Sequence, residues 1–254
     1  MKTNIKSENM VLKHDALKDI TSKFDTIDEH RFLNSCLQGN YQRNLLSEST
    51  YYPIDVRNYA YKSGLSIGAA YKELIVLVKK YRDTELEVKL DENRTWCTSI
   101  IYDYIIDKNF HTIQVQFNKK IIPLISGDMD VGKFCMYDTR MDKVPSSRRY
   151  LMGELIQRNM WKITKYGFFT LKTDEIRKEL NLGAKEYEEF KALNRSIIQQ
   201  SLEDLVDNLA ISLKSIGNKY EVRFERYLGE VITKKMKKEK EKLLKQTTEI
   251  GESL

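Results

Sequence analysis

The sequence predicts an α+β chain of two tandem winged-helix (helix-turn-helix) domains, mostly helical with small β-hairpins. Three observations predict it. Over residues 187–209 apolar side chains return every three or four positions, and from residue 211 the repeat shortens to two, so a long helix passes into a hairpin. The first half of the chain carries the same order of local signals. Between the halves, Pro145 and the capping residues Ser146 and Ser147 follow the polar run Asp138–Lys143, which marks a boundary. The domains are then 11–143 and 146–226, with a lysine-rich tail at 227–254.

Taken in order, helices are expected around Asp15–Lys23 and at Asp28–Leu37. Tyr51–Ile54 reads as a strand, and Asp55 as the N-cap of a helix to Lys62. Gly64-Leu65-Ser66 turns the chain. Ala70, Tyr71, Leu74, Leu77, Val78 and Tyr81 form one face of the next helix. Thr84–Leu90, Asp91-Glu92-Asn93 and Thr95–Tyr104 read as strand, turn and strand, the first wing. In the second half, Arg148–Asn159 is a helix and Phe168–Leu171 a strand. Thr173 is the expected N-cap of a helix ending at Leu180, with Asp174 and Glu175 favoured by the helix dipole in its first turn. Gly183 is the expected left-handed residue after it. Lys185–Leu209 is the long reading helix, and Leu213–Phe224, turning at Ile216–Lys219, is the second wing. Val231–Leu244 (VITKKMKKEKEKLL) favours a solvated helix.

Composition narrows the function. A formal charge of +6 and a pI near 8.9 suit a polyanionic partner without demanding one. Cys36, Cys97 and Cys135 are isolated, so a disulfide framework or cysteine metal site is not expected; three small buried thiols in a reducing cytosol are. No signal-peptide h-region and no membrane span can be read, so a soluble, cytoplasmic protein without membrane contact is expected. Gly127–Phe134 (GDMDVGKF) approaches a phosphate loop. However, Phe134 stands where the magnesium-binding hydroxyl belongs, and Asp128 and Asp130 would repel phosphate. His14, His30 and His111 are too scattered to activate a tyrosine nucleophile through a metal. The expectation is a protein that is not an enzyme and uses no cofactor or metal.

Duplex recognition needs Arg, Lys, Asn or Gln on the open face of the reading helix, preferably in its N-terminal half. Lys185, Glu188, Lys191, Arg195 and Gln199 supply polar groups there at spacings of three and four. Arg195 is the leading candidate for guanine, because its planar fork matches O6 and N7. Lys214, Lys219 and Arg223, in or beside the wing, would neutralise phosphates and fix register. Lys62, Lys72, Lys79 and Lys80 surround the first helix-turn-helix.

At this point the chain resembles the theta-type plasmid replication initiators (Rep), which bind iterons through two tandem winged-helix domains. LKHDALKDI with DEHRFLNSCL resembles the family's opening helices, and YPIDVRNYAYKSGLSIGAAYKELIVLVKKY its first helix-turn-helix. RTWCTSIIYDYII and VQFNKKIIPLI occupy the places of its aromatic strand and its F-N-x-x-I-x-P run. SSRRYLMGELI resembles its linker helix. TLKTDEIRKELNL and YEEFKALNRSIIQQSLEDL resemble its second helix-turn-helix, departing from the usual P-A-x-x-E-I-N ending. The resemblance spans about Val11 to Phe224. It implies an initiator of plasmid replication that binds direct repeats in origin double-stranded DNA, with backbone contacts and dimerisation from the first domain. It further implies recruitment of the host replication initiator and helicase, a dimer that represses its own promoter, and a monomer that binds iterons. A winged-helix transcriptional regulator with no role at an origin is the alternative, and an interaction module that no longer binds DNA is the third reading. Direct repeats beside an AT-rich tract would favour the first, and a single palindrome the second.

Overall fold

The computed structural model describes residues 10–14, 17, 24, 26–37, 50–89, 93, 95–110, 112–126 and 134–227. The helix expected around Asp15–Lys23, most of the loop Gly127–Phe134, and the tail beyond Tyr227 lie outside the described residues.

The first described element is a strand. β1 (Met10–His14) pairs antiparallel with β7 (Phe134–Asp138), Met10 against Asp138. Helix α1 (Ile27–Leu37) follows. β2 (Tyr52–Ile54) enters α2 (Val56–Ser63) through Asp55, whose carboxylate accepts the Asn58 N–H at 3.0 Å. Gly64 closes α2 at φ +72°, where a side chain would be strained. Ser66 then caps α3 (Ile67–Asp83) on the Ala69 N–H. The face of α3 carrying Ala70, Tyr71, Leu74, Leu77, Val78 and Tyr81 is buried, as its spacing predicts.

The first wing lies later than expected. Among the described residues, β3 (Leu86–Lys89) and β4 (Thr95–Thr98) pair only with each other, as a ribbon inserted after α3. The wing is β5 (Ile101–Asp107) with β6 (Thr112–Phe117), and β6 lies between β2 and β5. Alternation reveals a strand but not its partner, which is why the first hairpin in the sequence is mistaken for the wing. A short helix, α4 (Ile122–Ser126), leads toward β7.

A 3-10 turn, Thr139–Lys143, joins the halves. Helix α5 (Ser147–Tyr166) runs past the expected Asn159 and ends where Gly167 turns left-handed. β8 (Phe168–Lys172) leads into α6 (Thr173–Glu179). The N-cap is Lys172, not Thr173. Thr173 is the first helical residue, and it is buried because it grips the wing turn: its N–H donates to the Tyr220 carbonyl at 2.8 Å and its hydroxyl to that of Asn218 at 3.2 Å. The left-handed residue after α6 is Asn181, not Gly183. The reading helix is a rod of three segments that begins at Phe190 rather than Lys185: α7 (Phe190–Leu193), a π turn (Asn194–Ile198) and α8 (Gln199–Leu209). Tyr187 continues the helical spacing, but its backbone is left-handed at φ +47°, so the helix cannot start before it. β9 (Leu213–Gly217) and β10 (Glu221–Arg226) form the second wing, with β10 between β8 and β9. Both halves therefore repeat strand, helix, helix, hairpin, with the hairpin's second strand against the opening strand.

One apolar cluster runs from Val11 to Tyr137 and another from Met141 to Phe224. Ions join them. Lys13 meets Glu154 at 2.6 Å and Lys62 meets Asp142 at 2.9 Å, both pairs shut off from solvent. Asn34 donates to Asp142 at 2.6 Å and to the Tyr150 hydroxyl at 2.7 Å, and Arg31 Nε to the Asp142 carbonyl at 2.7 Å. Burial alone would raise the Glu154 carboxyl, but Lys13, His30 and the bonds from Lys13 and Tyr150 outweigh it and hold it low. At Asp142 burial wins over Lys62 and Asn34, and the carboxyl is raised. Of the thiols, Cys36 is buried and Cys135 half-buried, but Cys97 is exposed on the ribbon, against the expectation of three buried residues.

Candidate nucleic-acid interface

The second winged helix is braced from behind. Arg149 of α5 grips Asp204 of α8 with both forks, Nε at 2.8 Å and Nη2 at 2.5 Å. Bidentate guanidinium–carboxylate pairs fix angle as well as distance, so the rod's tilt against α5 is set. Leu193, Ile197, Ile198, Leu202, Leu205 and Leu209 seat it in the second cluster.

The opposite face has a charge gradient. Lys191, Arg195 and Ser196 are exposed in the first half of the rod, and among the described residues neither cation makes an ion pair. Beyond Gln200 this face carries no cation and the half-buried carboxylates Glu203 and Asp207, while Asp204 is turned back onto Arg149. The rod's exposed cations therefore lie in its N-terminal half, the half that winged helices generally insert into the groove.

The expected contact residues divide into groups. Lys185 is exposed but sits in the turn before the rod, with Glu188 beside it. Gln199 is half-buried, and its amide donates to Ser215 of β9 at 2.8 Å and to Asn194 at 3.3 Å. It joins rod to wing. Lys219 is exposed at the wing turn, its ammonium 4.9 Å from the Tyr220 ring centroid. Lys214 meets Glu225 at 2.8 Å, and Arg223 lies 3.8 Å over the Phe168 ring, so both look across the sheet rather than along the turn. On α3, Lys72 and Lys79 are exposed. Lys62 is buried against Asp142 and cannot reach phosphate, and Lys80 pairs with Glu29.

Arg177 is a contributor the spacing does not reveal. Its guanidinium donates to the carbonyls of Tyr187 at 2.8 Å, Gly183 at 2.9 Å, Glu186 at 2.8 Å and Ala184 at 3.3 Å. Glu186 in turn accepts the Gly183 N–H at 2.9 Å and pairs with Arg148 at 2.5 Å. The Gly183 and Arg148 bonds hold its carboxyl low. The turn between α6 and the rod is thus built around one guanidinium, which sets where Lys185 and the start of the rod stand. Among the described residues no group of three His, Cys, Asp or Glu side chains is placed to hold a metal ion. No helix among them is long and apolar enough to cross a membrane.

Residues 10–139, just over half the chain, match the family described as "Initiator Replication protein, WH1". Among solved structures, the Pi initiator protein in complex with iteron DNA superposes with a TM-score of 0.68 at 15% identity, over 89% of this chain and 100% of that one. At that identity it shows a shared fold. Domains 2 and 3 of RctB give 0.44 at 10% identity over 84% and 83% of the two chains. The WH1 domain of MSBI1.176, a replication protein isolated from a multiple sclerosis patient, gives 0.36 at 11% identity over 44% and 88%. No curated protein matches.

Proposed function

Because the chain belongs to the initiator replication protein family, we propose that it initiates plasmid replication by binding direct repeats of origin DNA with both winged helices. The observation that carries the reading is the exposed pair Lys191 and Arg195 on the cationic half of a rod whose other half carries no cation. The fold shared with an initiator whose structure holds iteron DNA supports it. Arg195 reads a base edge, Lys191 a base or phosphate, and Lys185 and Lys219 hold phosphates on either side. Gln199 acts through the wing by fixing β9 against the rod. Lys72 and Lys79 place the first domain on the backbone of the same duplex. The protein performs no covalent chemistry. Recruitment of a host initiator and helicase, the exchange of dimer for monomer, and repression of its own promoter belong to this reading as its consequences.

Gel shifts with the DNA flanking the gene test it. Arg195→Ala is expected to lose about 1–3 kcal/mol on the specific site and to flatten sequence preference. Lys219→Ala is expected to weaken all sequences alike and to reduce the salt slope by about one. An Arg195→Ala protein as tight and selective as wild type would remove the rod from the role given to it.

A further inference from the structure

A second surface lies at the other end of the same sheet. Trp161 and Tyr166 stand on the last turns of α5, each 55% exposed, their rings 6.2 Å apart. Gly167 turns the chain and Phe168 opens β8 with its ring 38% exposed. Strand side chains alternate between faces, so Phe168 and Arg223 of the neighbouring β10 share the open face, where the guanidinium covers the ring at 3.8 Å. Each of the other rings also has a cation: Lys162 is 5.6 Å from the Trp161 ring and Lys165 is 4.9 Å from that of Tyr166. The nearby carboxylate, Glu225, is held by Lys214 at 2.8 Å and Arg223 at 3.2 Å.

We propose that this patch binds single-stranded DNA, with unpaired bases stacking on Trp161, Tyr166 and the Phe168–Arg223 pair while Lys162 and Lys165 neutralise phosphates. A duplex keeps its base faces stacked inside, so exposed ring planes can meet bases only on an unpaired strand. A protein partner fits less well, because protein interfaces are enriched in aromatics but depleted of lysine, and here lysine accompanies the rings. The register sets Glu221 against Lys172 and Glu225 against Phe168, so roughly 13 Å of strand separates the patch from the wing turn. The patch therefore occupies the end of the sheet away from the wing turn. Its use rests on the initiator reading: an initiator holding a duplex on one face can hold one strand of opened DNA on another. Its binding chemistry does not.

The test uses a labelled oligothymidylate of about 20 nucleotides, the full chain, and a Trp96→Phe protein in which Trp161 is the remaining tryptophan. The oligonucleotide is expected to quench Trp161 emission. By anisotropy, Trp161→Leu and Tyr166→Leu are each expected to weaken binding about tenfold, with Trp161→Phe restoring most of it. Duplex affinity for the gene-flanking DNA should not change in any of them. Absence of quenching at tens of micromolar, equal binding by Trp161→Leu, or a response to phosphatidylserine vesicles alone would overturn the proposal. Failure of the initiator reading would show separately, as loss of selective duplex binding by the wild type.

Discussion

His30 shows how far a residue's surroundings can set its chemistry. It is buried between the Phe24 and Tyr150 rings, 5.0 and 4.7 Å away, with Nε2 2.9 Å from the Ser147 hydroxyl. Burial drives its pKa from 6.5 down to about 3, with Lys13 assisting and Glu154 and Glu29 opposing. The folded value lies below the unfolded one, so between them the unfolded chain holds a proton that the folded chain lacks. Stability is therefore lost as pH falls from about 6.5 toward about 3, at up to about 1.4 kcal/mol per pH unit. Urea midpoints measured at pH 7, 6 and 5 should decline for the wild type and stay flatter for His30→Gln. An identical decline in both would assign the effect elsewhere. At this scale the sequence was a partial guide. Lys191 and Arg195 could be placed because helical period fixes which side chains face out. Arg177 and Gln199 could not, since their partners are set by the path of a turn and the closure of a wing. Lys62 looks like any exposed cation until Asp142, 80 residues away, is folded against it.

Helices and strands carried more of their geometry in the chain. Both helix-turn-helix units were legible, because a 3.6-residue apolar repeat survives without knowledge of neighbours. The pairing of β1 with β7 was not, because MVLKH meets its partner across more than a hundred residues and no turn signal links them. The rod ends on Ala210 at φ +56°, a conformation that strains an L side chain and that glycine adopts freely. Ala210→Gly should raise stability by about 0.5–1 kcal/mol, read as a higher thermal midpoint; a lower midpoint would contradict the strained cap. Gly217 is the reverse case. A Cβ there would lie 2.8 Å from the Glu221 carbonyl oxygen, 3.0 Å from the Val222 Cα and 3.1 Å from the Phe190 ring. Two of those neighbours are backbone and cannot step aside, so the glycine lets the wing close onto the start of the rod.

Across the whole molecule, the two winged helices are held in one arrangement by buried ions. Asp142→Ala leaves the Lys62 ammonium buried without its counter-ion, which typically costs about 3–5 kcal/mol. Because Asp142 belongs to the joint and not to either apolar cluster, the loss should appear in the unfolding of both halves. Calorimetry of wild type and variant checks this. A variant as stable as the parent would make the joint dispensable. The two sets of charge also answer differently to electrolyte. Mobile ions screen Lys191, Arg195 and Lys219 in the solvent, but they do not enter the closed space around Lys13–Glu154 and Lys62–Asp142. Concentrated salt should therefore strip the protein from a heparin or DNA column while its architecture stays intact. Grip on the polymer and grip between the domains can be released one without the other.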